Sequence, residues 1–235
     1  MVSRAALILA LLMIFGGCGR SISRVTIPIQ VDSEIDTDQF SNFAVLPFVK
    51  DRTKDESDNV ELGDDIASTM RRRIGRHKNY NVVGSQETSR LMTGETIDNE
   101  FLADMDELTR LGGYFDVDGL IAGSYKYYTV NQPRTYYGEH YSPTRRQYVM
   151  AHQDYIQRIY ILALRVIIVD VDSEKIVWDE KYERTAVENH VLGSFLVSQI
   201  TPRDTILKSL TKQAVTEFTR RIAPHYETEV RFLVK

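Results

Sequence analysis

The side chains that could do chemistry fall into three groups. Nine of the 13 tyrosines lie between Tyr125 and Tyr160, and Tyr127, Tyr128, Tyr136, Tyr137, Tyr141 and Tyr148 share this stretch with Arg134, Arg145, Arg146 and Arg158. Tyrosine with arginine is the mixture found at recognition hot spots, because both offer a large rigid contact area with a polar end. The leading reading is a hairpin or loop that docks a partner protein or a glycan strand. Two alternatives stand beside it: tyrosines that pad an extended hairpin against its own sheet, and a membrane-inserted hairpin with an aromatic girdle. A barrel strand needs about 9–11 residues with one consistently apolar face. Alternate residues from Arg146 are Arg, Tyr, Met, His, Asp, Ile, Arg, and from Gln147 they are Gln, Val, Ala, Gln, Tyr, Gln, Ile. Neither face suits lipid.

The five histidines, at positions 77, 140, 152, 190 and 225, are far apart. His140 and His152 could meet only across a hairpin, and two imidazoles without carboxylates beside them make a poor metal site. The carboxylate pairs Asp116 and Asp118, Asp170 and Asp172, Asp179 and Glu180 fall at expected strand ends or turns, where acids are common. There is no phosphate-binding glycine loop, no Gly-x-Ser-x-Gly elbow, no His-Glu-x-x-His and no cysteine pair. No catalytic residue, cofactor or metal is expected. The basic stretch Arg71–Lys78 is read as a solvated helix end.

The N-terminus runs MVSRAALILALLMIFGGCGR, with Arg4 ahead of an unbroken apolar run and two glycines before Cys18. A basic residue, a short apolar core and small residues at the cut describe a secretory signal peptide over 1–17. The apolar run is too short to cross a hydrocarbon core of about 30 Å. Cys18 is the only cysteine, so no internal disulfide can form. Ile14 to Cys18 resembles the lipobox of bacterial lipoproteins, with Phe15 where leucine is usual. That resemblance implies cleavage before Cys18, acylation of its thiol (palmitate-type chains), and a lasting membrane anchor. Gly19 stands where an aspartate would retain a lipoprotein in the inner membrane, so the same resemblance implies the outer membrane, facing the periplasm.

The elements that must carry these groups can be read from composition and periodicity. With 235 residues, 43% apolar and 26% charged, the chain is of ordinary globular composition, and a net charge of −4 gives no reason to expect nucleic acid. Residues 18–40 read as a lipidated tether, with a short strand at Val25–Val31. Residues 41–235 read as one periplasmic domain with the Tyr-rich insertion at about 126–158. Phe43–Phe48 is a buried strand ended by Pro47. Leu62, Ile66, Met70 and Ile74 mark a helix over about 61–75 with a basic end and Gly75. A strand at Tyr80–Gly84, a short helix near 86–92 and a helix over about 99–112 follow, the last stopping at Gly112-Gly113. Strand patterns at Val117–Val130 and Ile156–Val171, a turn at 172–175 and a strand from Ile176 form a meander. Thr201-Pro202 opens a helix, with threonine as N-cap and proline at the first helical position, that buries Leu207, Leu210, Ala214, Phe218 and Ile222 and is stopped by Pro224. The tail adds an edge strand. The fold class is therefore α/β: a single mixed sheet flanked by helices, helices clustered in the first half, then a β-meander and a C-terminal helix.

Phe43-Ala44-Val45-Leu46-Pro47-Phe48, Leu62-Gly63, Tyr80-Asn81-Val82-Val83, Val117 to Ser124, and Arg165 to Val171 before Lys175-Ile176-Val177-Trp178 resemble one group of envelope proteins. It contains the curli-secretion channel lipoproteins, the lipoprotein activators of penicillin-binding proteins, and the amino-terminal domain of the Tol translocation protein. The likeness covers residues 42–222. It implies a non-catalytic periplasmic binding, scaffold or activator module, held at the membrane through acylated Cys18. Its partner would be an envelope protein or a peptidoglycan-associated component such as a cell-wall synthase or secretion machinery. The alternative is an oligomeric subunit of a curli-type secretion channel. That channel family inserts two hairpins per subunit, and this chain has room for one.

Overall fold

The computed structural model describes residues 22–35, 39–51, 61–91, 98–191 and 201–234. Residues 1–17, expected as a signal peptide, Cys18 and most of the charged loop before residue 61 lie outside the described residues. The chain divides into two compact units, residues 33–223 and a second made of residues up to 32 with those from 224 onward.

The larger unit is a mixed sheet with helices on both faces. Strand β2 (Asn42–Val45) is followed by β3 (Val49–Lys50), helix α1 (Gly63–Ile74), β4 (Asn81–Val82), helix α2 (Ser85–Leu91) and helix α3 (Met105–Tyr114). Three long strands come next: β5 (Gly119–Ser142), β6 (Gln147–Asp170) and β7 (Lys175–Val191), then helix α4 (Arg203–Ile222). The sheet order is β4-β2-β5-β6-β7, with β3 also on β5. β2 runs parallel to β4 and β5, and the meander β5-β6-β7 is antiparallel. Pro47, which has no N–H to give to a ladder, falls in the gap between β2 and β3.

Burial follows the two periodicities in the sequence. One core lies under α1 and α4, where Ile66, Met70 and Ile74 meet Leu210, Phe218 and Ile222 over Phe43, Ile121, Tyr125 and Leu164. A smaller core lies on the opposite sheet face, where Leu108 and Leu111 of α3 cover Leu120, Ala122, Ile167 and Val169. Buried hydroxyls stitch the layers together. The Leu62 N–H donates to Tyr125 Oη at 2.8 Å, and Tyr80 Oη donates to the Ile222 carbonyl at 2.7 Å.

Three boundaries differ from the sequence reading. The expected helix over 99–112 is a 3-10 turn at Phe101–Ala103 and then α3, split at Asp104. The Asp104 carboxylate caps α3 by accepting the Glu107 N–H at 3.2 Å, so the acid that breaks the pattern starts the new helix. Gly112-Gly113 lies inside α3 instead of ending it, and a Cβ at Gly112 would sit 2.3 Å from Val171 Cγ2. Its role is close helix–sheet approach. At α4 the N-cap position belongs to Pro202, not Thr201, and the helix starts at Arg203.

The second unit is an antiparallel ribbon of β1 (Ile22–Val31) and β8 (His225–Val234). The tail therefore pairs with the strand expected within the tether, over ten residues, and adds nothing to the edge of the mixed sheet.

Candidate surface site: the β5–β6 arm

Strands β5 and β6 are paired over their whole length, from Gly119↔Asp170 to Ser142↔Gln147. Among the described residues, β7 pairs with β6 as far as Tyr155↔Val191. Among the described residues, the eight pairs from Thr135↔Asp154 to Ser142↔Gln147 form a two-stranded arm with no third strand. At about 3.4 Å per residue it is about 27 Å long. The insertion expected at 126–158 is thus an uninterrupted continuation of two core strands, turned at residues 143–146.

The base of the arm is tied down. Tyr160 Oη donates to Glu188 Oε2 at 2.8 Å across to β7, while Glu188 Oε1 accepts the Thr201 N–H at 3.1 Å ahead of α4. The Tyr160 phenol is held above its usual range, chiefly by burial, with Arg158 lowering it and the Glu188 carboxylate raising it. The Arg203 guanidinium lies 5.3 Å from the centroid of the Tyr127 ring. Bidentate contacts of 2.8 and 2.7 Å link Arg165 to Asp179 nearer the core.

This geometry separates the candidate tyrosines into two sets. Tyr127, read as a partner-binding residue, is 1% exposed and belongs to the core under the helices. The cause is strand parity: residues 121, 125 and 127 point to the same sheet face, which α1 and α4 cover. Tyr127 is therefore removed from the candidate surface. Tyr128, on the opposite face, is half-buried with Lys126 Nζ 5.4 Å from its ring centroid. In contrast, Tyr136, Tyr137, Tyr141 and Tyr148 are 57, 57, 55 and 69% exposed. Arg145 and Arg146 occupy the turn, where Arg146 has φ 49° and the Arg145 N–H donates to Ser142 Oγ at 3.3 Å.

Cross-strand pairs order the arm. Tyr141 faces Tyr148 with ring centroids 5.6 Å apart, and Tyr137 faces His152 at 4.7 Å. Thr135 Oγ1 donates to Asp154 Oδ1 at 2.7 Å. These pairs share one face with Glu139 and Met150, while Tyr136 and His140 lie on the other at a centroid distance of 6.0 Å. His140 and His152 are therefore on opposite faces and do not meet, which removes the two-histidine site. Met150, 54% exposed between the aromatic pairs, was not singled out in the sequence. The signal was present, because it alternates with Tyr148 and His152.

Each carboxylate pair has a member engaged in structure. Asp118 Oδ2 accepts from the backbone N–H of Ser41 and of Asn42, each at 2.9 Å, and from the Ser41 hydroxyl at 2.8 Å. Asp170 closes the β6–β7 turn by accepting from the Asp172 and Ser173 N–H groups, both at 3.1 Å. Glu180 pairs with Arg221, which also holds Glu34 at 2.8 Å. Among the described residues there is no group of three or more metal-ligating side chains, and no helix is long and apolar enough to cross a membrane.

No protein-family model matches the chain, and no curated protein matches it in sequence. Solved structures do. The chain is similar to lipoprotein GNA1162 from Neisseria meningitidis, with 13% identity, 76% of this chain and 98% of that chain covered, and a TM-score of 0.42. It is similar to the LpoB C-terminal domain from Salmonella enterica, with 12% identity, coverage of 65% and 87%, and a TM-score of 0.39. It is also similar to the PelC dodecamer from Paraburkholderia phytofirmans, with 9% identity, coverage of 84% and 98%, and a TM-score of 0.36. Likeness this distant decides neither partner nor function.

Proposed function

We propose that this chain is an outer-membrane lipoprotein, anchored through acylated Cys18, whose α/β domain binds another envelope component through the β5–β6 arm and performs no catalysis itself. The observation that carries this reading is the arm itself. Two strands rooted in the core continue past Tyr155↔Val191, the last described rung of β7, with Tyr136, Tyr137, Tyr141, Tyr148 and Met150 exposed and two arginines at the tip. An isolated two-stranded ribbon is marginal in water, so a chain that builds one on a fixed base gains a preorganised contact surface. Among the described residues neither edge of the arm is paired, which favours β-addition to a partner as well as side-chain contact. A scaffold or an activator of a cell-wall synthase or of secretion machinery would use such a surface in the same way.

The channel reading is weaker on the same geometry. Glu139, Thr135 and Asp154 interrupt one arm face, and Gln153 and His140 the other, so neither offers lipid an apolar band. The test is to replace residues 134–155 by Asn-Gly, closing a two-residue turn on the pair Pro133↔Ile156. The arm contributes no residue to either core, so the melting temperature should hold while co-purification of the partner with the native, lipidated protein is lost. An unchanged partner profile would overturn the proposal.

A further inference from the structure

The arm is not the only exposed apolar surface. The β1–β8 ribbon has its own, and chain length says what covers it. On this ribbon the pairs run from Ile22↔Val234 to Val31↔His225, so alternate residues define two faces. One face carries Glu227, Glu229 and Arg231 beside Ile27 and Ile29, which are 37 and 38% exposed. The other carries no acid. It presents Tyr226, 73% exposed, and Phe232, 66% exposed, together with Val230 and Pro28, and its one charge is Arg24, directly opposite Phe232.

We infer that this acid-free face of the β1–β8 ribbon lies on the lipid surface beside the anchor, with Phe232 and Tyr226 in the headgroup–acyl boundary. The inference rests on the proposed acylation of Cys18. Four peptide units separate Cys18 from Ile22, a reach of at most about 14 Å, and six separate it from Arg24, at most about 22 Å. A cysteine whose acyl chains are buried therefore keeps the Arg24–Phe232 rung close to the headgroups. The chemistry suits that place. Aromatic rings are the side chains that favour the interface, and a single arginine among them can meet lipid phosphates. Glu227 and Glu229, which anionic headgroups would repel, are on the opposite face. Many weak contacts of this kind would turn a flexible acyl tether into an oriented mount.

The sequence supplies a clean experiment, because Cys18 is the only cysteine and acylation consumes its thiol. Single variants Phe232→Cys, Tyr226→Cys, Glu229→Cys and Tyr141→Cys of the full lipidated protein are labelled with an environment-sensitive fluorophore. They are then reconstituted into phosphatidylethanolamine–phosphatidylglycerol vesicles with or without brominated lipid. The expected result is several-fold loss of emission in brominated lipid at 232 and 226, and little at 229 on the opposite face, whatever the response at 141. Vesicle-bound protein with equal, weak quenching at all four positions would overturn the inference and leave the anchor intact. Shielding of 232 and 226 from aqueous iodide without lipid quenching would also overturn it, since protein would then cover the face. Labelling of the parent chain at Cys18, or failure to float with vesicles, would instead overturn the anchor and the inference with it.

Discussion

Asp118 shows how a residue that looked chemical serves the fold. Its carboxylate gathers the Ser41 and Asn42 donors where β2 and β5 begin side by side. Burial alone would raise its pKa, but these hydrogen bonds outweigh burial and hold it below the usual carboxylate range. A depressed folded-state pKa stabilises the protein above the unfolded value of about 3.9, and the contribution is lost as pH falls through the folded value. Asp118→Asn should therefore be less stable than the parent at neutral pH, with the difference shrinking below about pH 4. Urea melts across that range check it, and a pH-independent difference would contradict it. The same residue illustrates what spacing conceals. Asp116 and Asp118 were legible as turn acids, whereas the partners of Asp118 lie 76 and 77 positions away in sequence.

At the scale of elements, the arm has a tight base and a tolerant end. At Gly123 an added Cβ would lie 2.0 Å from the Arg165 carbonyl oxygen and 2.6 Å from Phe48 Cε1. At Gly138 it would meet only the far end of the Tyr136 ring, which can swing into solvent. Gly123→Ala should cost about 3 kcal/mol or more, and Gly138→Ala under about 1 kcal/mol, in equilibrium unfolding. Comparable costs would mean that the arm is packed as tightly as its base. The apolar runs at Phe43–Phe48, Val117–Val130 and Ile156–Val171 and the four-residue stripe of α1 made the sheet and its helices legible. The arm was legible as a hairpin or loop, but the extent of its strands was not, because residues 131–154 carry polar side chains on both faces and so show no amphipathic period. Tyr127 was misplaced for a related reason. Composition groups it with the exposed tyrosines, although it falls inside the strand read at Val117–Val130, whose parity sets it with Ile121 and Tyr125 on the covered face.

For the whole molecule, the proposal puts a membrane anchor at Cys18 and a partner surface on the sheet domain. Cys18→Ser should move the protein from the membrane to the soluble fraction, read by fractionation of cells, and persistent membrane association would defeat the anchor. The most direct test of the central claim is photo-crosslinking in cells with a benzophenone amino acid at Tyr141 in the arm and, as a control, at Tyr114 of α3, which is comparably exposed. A discrete adduct with one envelope component is expected from Tyr141 and none from Tyr114. No adduct from Tyr141, the same adducts from both positions, or only adducts between copies of this chain would contradict it.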